Sequence, residues 1–240
     1  MSFAKSKLES HFGALSAIEF VLLQTIAIHG LVTSRIWKEL ASLDGLPSQD
    51  VSGAMRSLTN RKIVSARTLH HGQNYFAFTK ESIIQLGLPH ELGDPLSEKS
   101  KLRAYARLIF FIRHRPGFVK LTKSELEAKL CQPCHGLPNG FYGDPNNLPF
   151  IGFVRVDTHI HSIPERSSQI LRSDVHQFVT IKPIAACFKA KQFEFTWVTA
   201  TQRRADAVMK RFKEYELVGG APINVVVIPE LIPLITSIVM

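Results

Sequence analysis

The sequence predicts an α+β protein: an N-terminal winged helix-turn-helix followed by a small α/β domain with a largely parallel sheet. Three observations carry this expectation. Residues 16–80 hold three helical periods, then two short strand-forming runs around a polar, His-rich turn. From Phe141 onward strand-forming and helix-forming stretches alternate, which is the pattern of parallel strands joined by crossover helices. The length of 240 residues, 45% of them apolar, is enough for two ordinary cores.

The first helix is read over residues 16–30. Ser16 is its cap, Glu19 stands three residues on as in a capping box, and Gly30 ends it. Ile18, Val21, Leu22, Thr25 and Ile26 share one face. The second helix starts at Thr33 or Ser34 and carries Ile36, Trp37 and Leu40 inward. The third follows Leu46-Pro47-Ser48, with Pro47 suited to the first turn and Ser48 an alternative cap. Its buried stripe is Val51, Ala54, Met55 and Leu58, which leaves Gln49, Ser52, Gly53, Arg56 and Asn60 outside. Residues 63–67 and 74–79 are strands, joined by the turn His70-His71-Gly72-Gln73.

The exposed face of the third helix is small, polar and basic. A helix entering the major groove requires this: short side chains permit close approach, and Gln, Asn and Arg read base edges. Gln49, Ser52, Arg56 and Asn60 are therefore expected to approach bases. Thr33, Ser34, Arg35, Arg61, Lys62, His70, His71 and Gln73 are expected on the DNA backbone, the last three on the turn that would form a wing. The charge balance agrees. There are 29 Lys+Arg against 20 Asp+Glu, a formal charge of +9 and a pI near 9.6, which suits a polyanionic partner. Double-stranded DNA is the expected partner, bound by a homodimer, because winged-helix proteins often occupy paired half-sites.

No apolar run approaches the ~20 residues needed to span a bilayer, and the N-terminus lacks the apolar stretch of a signal peptide. No membrane partner is expected. Three cysteines, an odd number, argue against a disulfide framework and for a reducing cytoplasm.

The Gly- and Pro-rich segment 86–95 reads as a linker, which places the domains at 1–92 and 97–240. A helix over 97–114 carries Leu102, Tyr105, Ala106, Ile109 and Phe110 on one side. Lys99, Lys101, Arg103, Arg107, Arg113 and Arg115 lie on the other. A short capped helix covers 121–128. Beyond it come a strand at 150–157, a helix at 166–180, a helical piece opened by Pro183, and a strand at 193–200. A basic helix at 202–215 and an apolar strand at 223–228, central or parallel, precede a short C-terminal helix. Part of the apolar run 223–240 is expected to be core, and its last helix to present a face to a second copy.

Several motifs bear on chemistry. Cys131-Gln132-Pro133-Cys134-His135 has the spacing of a haem c attachment or a metal knuckle, but neither an export signal nor a second ligand pair accompanies it. Asp157-Thr158-His159-Ile160-His161 is like the HxH pair that ends the first strand of metal-dependent hydrolase barrels. Such a barrel needs roughly 250 residues, far more than follow. Neither G-x-S-x-G nor G-x-x-x-x-G-K-[ST] occurs. Asp144 and Asp157 could place carboxylates on neighbouring strands, as in metal-dependent nucleases. Arg155, however, stands where a second carboxylate belongs, and Thr196 follows Glu194-Phe195 where a Lys belongs. A permanent positive charge there repels a divalent cation. No catalytic residue, metal ligand or cofactor is expected.

In the order of its features the chain resembles the plasmid replication-relaxation family of bacterial mobile elements, in which a winged helix precedes a degenerate restriction-nuclease-like α/β domain. Phe153-Val154-Arg155-Val156-Asp157 followed by Arg172 is similar to the family's acidic E-x-D-type strand and basic helix. Trp197-Val198-Thr199-Ala200-Thr201-Gln202-Arg203-Arg204 is similar to its apolar strand ending near an Arg-bearing helix. The resemblance implies a degenerate nuclease-like fold for the second domain and a role on a mobile element. The departure at Arg155 removes a presumed metal ligand, so nicking activity does not carry over. The expected function is a DNA-binding regulator of transcription or of a plasmid or integrative element. The alternative is a relaxase-like or nuclease-like DNA-nicking enzyme.

Overall fold

The computed structural model describes residues 5–70, 72–88, 90–158, 164–213 and 223–239. The fold is α+β, with a two-stranded and a five-stranded sheet. The chain divides into two compact units, residues 1–109 with 236–240, and residues 110–235.

The first unit opens with α1 (Lys5–Phe12), a short helix that the sequence does not announce and that buries Leu8. Helix α2 (Ala17–His29) has the expected capping box: Glu19 N donates to Ser16 Oγ at 3.2 Å and Ser16 N to Glu19 Oε2 at 2.8 Å. Gly30 ends it at φ 83, a left-handed conformation that only glycine adopts without cost. Helix α3 (Ser34–Leu43) buries Ile36, Trp37 and Ala41. A 3₁₀ turn, Ser48–Asp50, leads into α4 (Val51–Asn60), whose Val51, Met55 and Leu58 are buried. Strands β1 (Val64–His70) and β2 (Gln73–Phe78) pair antiparallel from Val64↔Phe78 to His70↔Gln73. Val32, between α2 and α3, bridges to the same hairpin: its N donates to Phe76 O at 3.1 Å, and Phe76 N returns the bond at 2.8 Å. Helix α5 (Lys80–Leu86), a 3₁₀ turn at His90–Gly93 and α6 (Glu98–Ile109) complete the unit.

The Gly/Pro-rich segment is therefore no free spacer. Arg67 donates through Nη2 to Gly93 O and through Nη1 to Asp94 O, each at 2.8 Å. Lys80 Nζ lies 3.0 Å from Asp94, and Leu96 N donates to Tyr75 OH at 3.3 Å. A β-carbon at Gly93 would stand 3.2 Å from Lys80 Cα, so glycine permits this close approach. These bonds hold the segment against the hairpin, and the first unit continues through α6.

The second unit begins with a π-helical turn, Phe110–His114, then β3 (Val119–Lys120) and α7 (Lys123–Leu130), which Thr122 and Glu125 cap reciprocally. It continues through β4 (Phe141–Asp144), β5 (Asn147–Val156), α8 (Pro164–Val179), α9 (Lys182–Lys189) and β6 (Phe193–Thr199). Helix α10 (Gln202–Lys213), β7 (Ile223–Val227) and a 3₁₀ turn follow, then α11 (Ile232–Val239), whose residues from Thr236 on are grouped with the first unit. The sheet order is β3-β4-β5-β6-β7. The first two pairings are antiparallel and the last two parallel. The sheet is thus mixed, and its parallel pairings, β5–β6 and β6–β7, are the longer ones. The tight turn between Asp144 and Asn147 can only return an antiparallel strand, whereas the helical connections bring β6 and β7 back parallel. Strand β7 is parallel but sits at the edge, which leaves its residues half-buried.

Alternation sorts the sheet into two faces. Phe153, Phe193, Phe195 and Trp197 lie with Leu171, Val175 and Phe178 of α8, Phe188 of α9 and Val208 and Phe212 of α10. Phe153 and Phe178 centroids are 5.0 Å apart, and Phe188 stacks on Phe193 at 4.3 Å. Tyr142, Gly152, Glu194 and Thr196 belong to the opposite face. Among the described residues no single helix is long and apolar enough to cross a membrane.

Candidate nucleic-acid interface

Helix α4 is two-sided. Ser52, Arg56 and Asn60 recur every fourth residue and are exposed, as is Gly53, which has nothing within 4 Å of the space above it. The opposite stripe packs α4 on α2 and α3. Gln49 is exposed but lies in the 3₁₀ turn ahead of the helix, because Pro47 sets that entry in a tighter winding.

Ser34 and Arg35 are exposed at the start of α3, where Arg35 Nε lies 3.7 Å from Glu39. Lys62 is exposed at φ 56, and its carbonyl accepts from Thr79 Oγ1 at 2.8 Å. At the hairpin turn His70 Nε2 and Gln73 Oε1 are 2.6 Å apart. His71 lies outside the described residues.

One expected backbone contact is corrected. Thr33 is buried, and its hydroxyl accepts from Ile36 N at 3.4 Å, so it caps α3 instead of meeting a ligand. Arg61 is exposed, and its guanidinium also donates to the Phe12 carbonyl and lies 3.5 Å from Glu19. The reason for these two contacts is local. Position 61 ends α4 on the side of the Ser57 hydroxyl, and that side looks onto α2.

The Glu19 carboxylate is the group that sequence reasoning used only as a cap. It is 6% exposed. Burial pushes its pKa up, but hydrogen bonds from Ser57 and Ser16 and the charge of Arg61 outweigh burial and hold it below the usual carboxylate value.

The basic run of α6 and the turn after it is partly internal. Lys101 pairs with Glu98 at 2.7 Å, Arg113 with Glu230, and Arg115 with Glu194. Lys99 and Arg103 are exposed.

Three buried acids of the second unit, Asp157, Asp174 and Glu194, are each held by an arginine. Asp157 leaves β5 buried, and Arg204 of α10 donates through Nε to its Oδ2 at 2.8 Å and through Nη2 to Ser167 Oγ at 2.9 Å. Arg155 Nη1 lies 2.8 Å from Asp174 of α8. Burial raises the Asp174 carboxyl to about 6 against the opposing pull of Arg155. On the other face Arg115 grips Glu194 at 2.6 and 3.2 Å, and Tyr142 donates to Glu194 Oε1 at 2.8 Å. Burial raises the Glu194 pKa, but the bonds from Arg115 and Tyr142 outweigh it and leave the carboxyl below its usual value.

Asp144 and Asp157 do lie on neighbouring strands, but at opposite ends. Asp144 pairs with Asn147, and Asp157 stands ten residues further, just past the end of β5. At ~3.3 Å per residue the two positions are roughly 30 Å apart along the strand, too far to share one ion. Asp144 Oδ1 instead accepts from Asn146 N at 2.8 Å and shapes the turn.

Cys131, Cys134 and Cys187 are free thiols, with Cys134 buried. Among the described residues no three His, Cys, Asp or Glu side chains are grouped to hold a metal. His159 and His161 lie outside them. No family model, curated protein or solved structure matches the chain.

Proposed function

We propose that the chain is a DNA-binding regulator whose first unit is a winged helix-turn-helix, with α4 as recognition helix and the β1–β2 hairpin as wing. The observation that carries this reading is the outer face of α4, where Ser52, Gly53, Arg56 and Asn60 are exposed while Val51, Met55 and Leu58 anchor the inner face. Arg56 suits a bidentate contact to guanine and Asn60 one to adenine, and Ser52 and Gly53 allow the helix to seat deeply. The order of helix, bridging strand, two helices and hairpin, closed by the Val32–Phe76 bridge, supports it. So does the net charge of +9.

Lys62, Ser34, Arg35, His70, His71 and Gln73 are assigned to the DNA backbone. The second unit is assigned to association as a homodimer; its buried acids Asp157, Asp174 and Glu194 each face an arginine. Free thiols suit a reducing cytoplasm. A role in the control of a mobile element rests on the resemblance set out above.

The test is selection from a random duplex pool by the full chain, followed by anisotropy titration at several salt concentrations. The expected result is one enriched sequence, bound at least ~10³-fold more tightly than random duplex, with a steep loss of affinity as salt rises. A chain that enriches no sequence overturns the reading.

A further inference from the structure

We infer that Glu19, a residue that does not reach the outer face of α4, is the positioning residue that sets the angle at which α4 presents Arg56 and Asn60 to DNA; the inference rests on the DNA-binding reading above. Glu19 lies in the first turn of α2 and is 6% exposed. One carboxylate oxygen accepts from Ser16 N and closes the capping box. The other accepts from Ser57 Oγ at 2.6 Å and lies 3.5 Å from Arg61 Nη1. Ser57 and Arg61 are one helical turn apart and directly follow Arg56 and Asn60 in sequence. Arg61 also donates to the Phe12 carbonyl at the end of α1.

The apolar stripe of α4 decides which side is inward, but apolar packing is non-directional. Two hydrogen-bonding side chains on one buried carboxylate add a direction. They fix the rotation of the C-terminal half of α4 about its axis, and reading base edges demands a geometry held within about 10–20°. The charge itself needs this explanation. A capping box is served equally by Gln, and an ionised carboxylate is costly to bury unless it is paired. The pairing is with Ser57 and Arg61.

The test uses the full chain and its selected duplex, with Glu19→Gln, Arg61→Ala and the double variant. Glu19→Gln keeps the cap and removes a negative charge, so simple electrostatics tightens binding to every DNA. Positioning gives another result: the ratio of specific to random affinity falls on the order of tenfold, while random-duplex affinity is unchanged or higher. Arg61→Ala is expected to lose the same ratio with an unchanged salt slope, and the double variant no more than either single, as for coupled partners. The proposal is overturned if Glu19→Gln leaves the ratio intact. It is equally overturned if Arg61→Ala weakens all DNA alike with a slope shallower by about 0.9, the mark of a phosphate contact. Should Glu19→Gln fail to fold, Ser57→Ala removes one of the two bonds and is expected to lower the ratio severalfold; an unchanged ratio there overturns the proposal. The unaltered chain is measured first, so a failure of the DNA reading itself, with no sequence selected, stands apart from a failure of the Glu19 assignment.

Discussion

The ring of Tyr142 fills the space above Gly152: a β-carbon built at position 152 would fall 2.0 Å from Tyr142 Cζ. The two residues face each other across the antiparallel β4–β5 pair. The ring is further enclosed by Phe110, Phe111 and Phe118, whose centroids lie 5.5, 5.7 and 5.9 Å away. Its hydroxyl donates to Glu194 and lies 3.1 Å from Thr196 Oγ1. Burial drives the phenol pKa well above its usual value, so Tyr142 is a neutral hydrogen-bond donor at any physiological pH.

Gly152→Ala should therefore destabilise strongly, by about 3 kcal/mol, at the upper end of the overpacking range. The added methyl must displace the ring and with it the bond to Glu194. Shrinking the ring in Gly152→Ala/Tyr142→Leu should recover part of that loss. Urea unfolding of both variants checks the claim. A single variant as stable as the unaltered chain would refute it.

Asp157 and Arg204 make a deeply buried ion pair, with side chains 2% and 7% exposed. Asp157→Asn leaves Arg204 charged and under-compensated between β5, α8 and α10. Breaking such a pair costs about 3–5 kcal/mol, whereas replacing both partners with apolar residues is often neutral. Asp157→Asn should thus lower the urea midpoint more than Asp157→Leu/Arg204→Met does. The reverse order would show that the pair is not what fastens α10 to the sheet.

Much of the first unit is legible because its signals are local. Ser16 with Glu19 forms the expected capping box, and Gly30 ends α2. The stripes of α3 and α4 follow directly from helical period. What escaped the sequence depends on distant partners. Arg61 is exposed, but the contacts its guanidinium makes with Glu19 and Phe12 span separations of 42 and 49 residues. Segment 86–95 has linker composition, yet Arg67 reaches its carbonyls from 26 and 27 residues away. The antiparallel pairs of the sheet leave little trace in the sequence, because β3 and β4 are short and a two-residue turn after Asp144 joins β4 to β5. The ion pairs of Asp157, Asp174 and Glu194 span 47, 19 and 79 residues, and no local pattern encodes them.

Asp174 gives the fold a defined pH dependence. Its folded value, about 6, lies above the 3.8 of an unperturbed aspartate, because burial outweighs the charge of Arg155. The folded state therefore holds the extra proton between roughly pH 4 and 6. Stability declines as pH rises through that window, and the cost is fully present above it, up to about 3 kcal/mol from the size of the shift. Asp174→Asn mimics the protonated form. It should raise the urea midpoint at pH 8, by about 1–3 kcal/mol in stability, and make little difference at pH 4. A variant less stable than the unaltered chain at pH 8 would mean that the bond to Arg155 outweighs desolvation.

Lys62 separates stability from DNA binding. It occupies the left-handed region at φ 56 in the turn between α4 and β1, where its carbonyl holds Thr79. A side chain there costs about 1 kcal/mol or more relative to glycine, offset in part by the freedom glycine gains when unfolded. Lys62→Gly should therefore leave the fold as stable or up to about 1 kcal/mol more stable. The same change removes an exposed cation assigned to phosphate, so affinity should fall alike for selected and random duplex, with a salt slope shallower by about 0.9. Arg56→Ala should do the opposite: little change in the urea midpoint, and a loss of about 1–3 kcal/mol confined to the selected sequence. Opposite signs for Lys62→Gly in unfolding and in DNA titration are the diagnostic result. An unchanged salt slope would remove Lys62 from the interface, and equal losses on all DNA for Arg56→Ala would remove Arg56 from base reading.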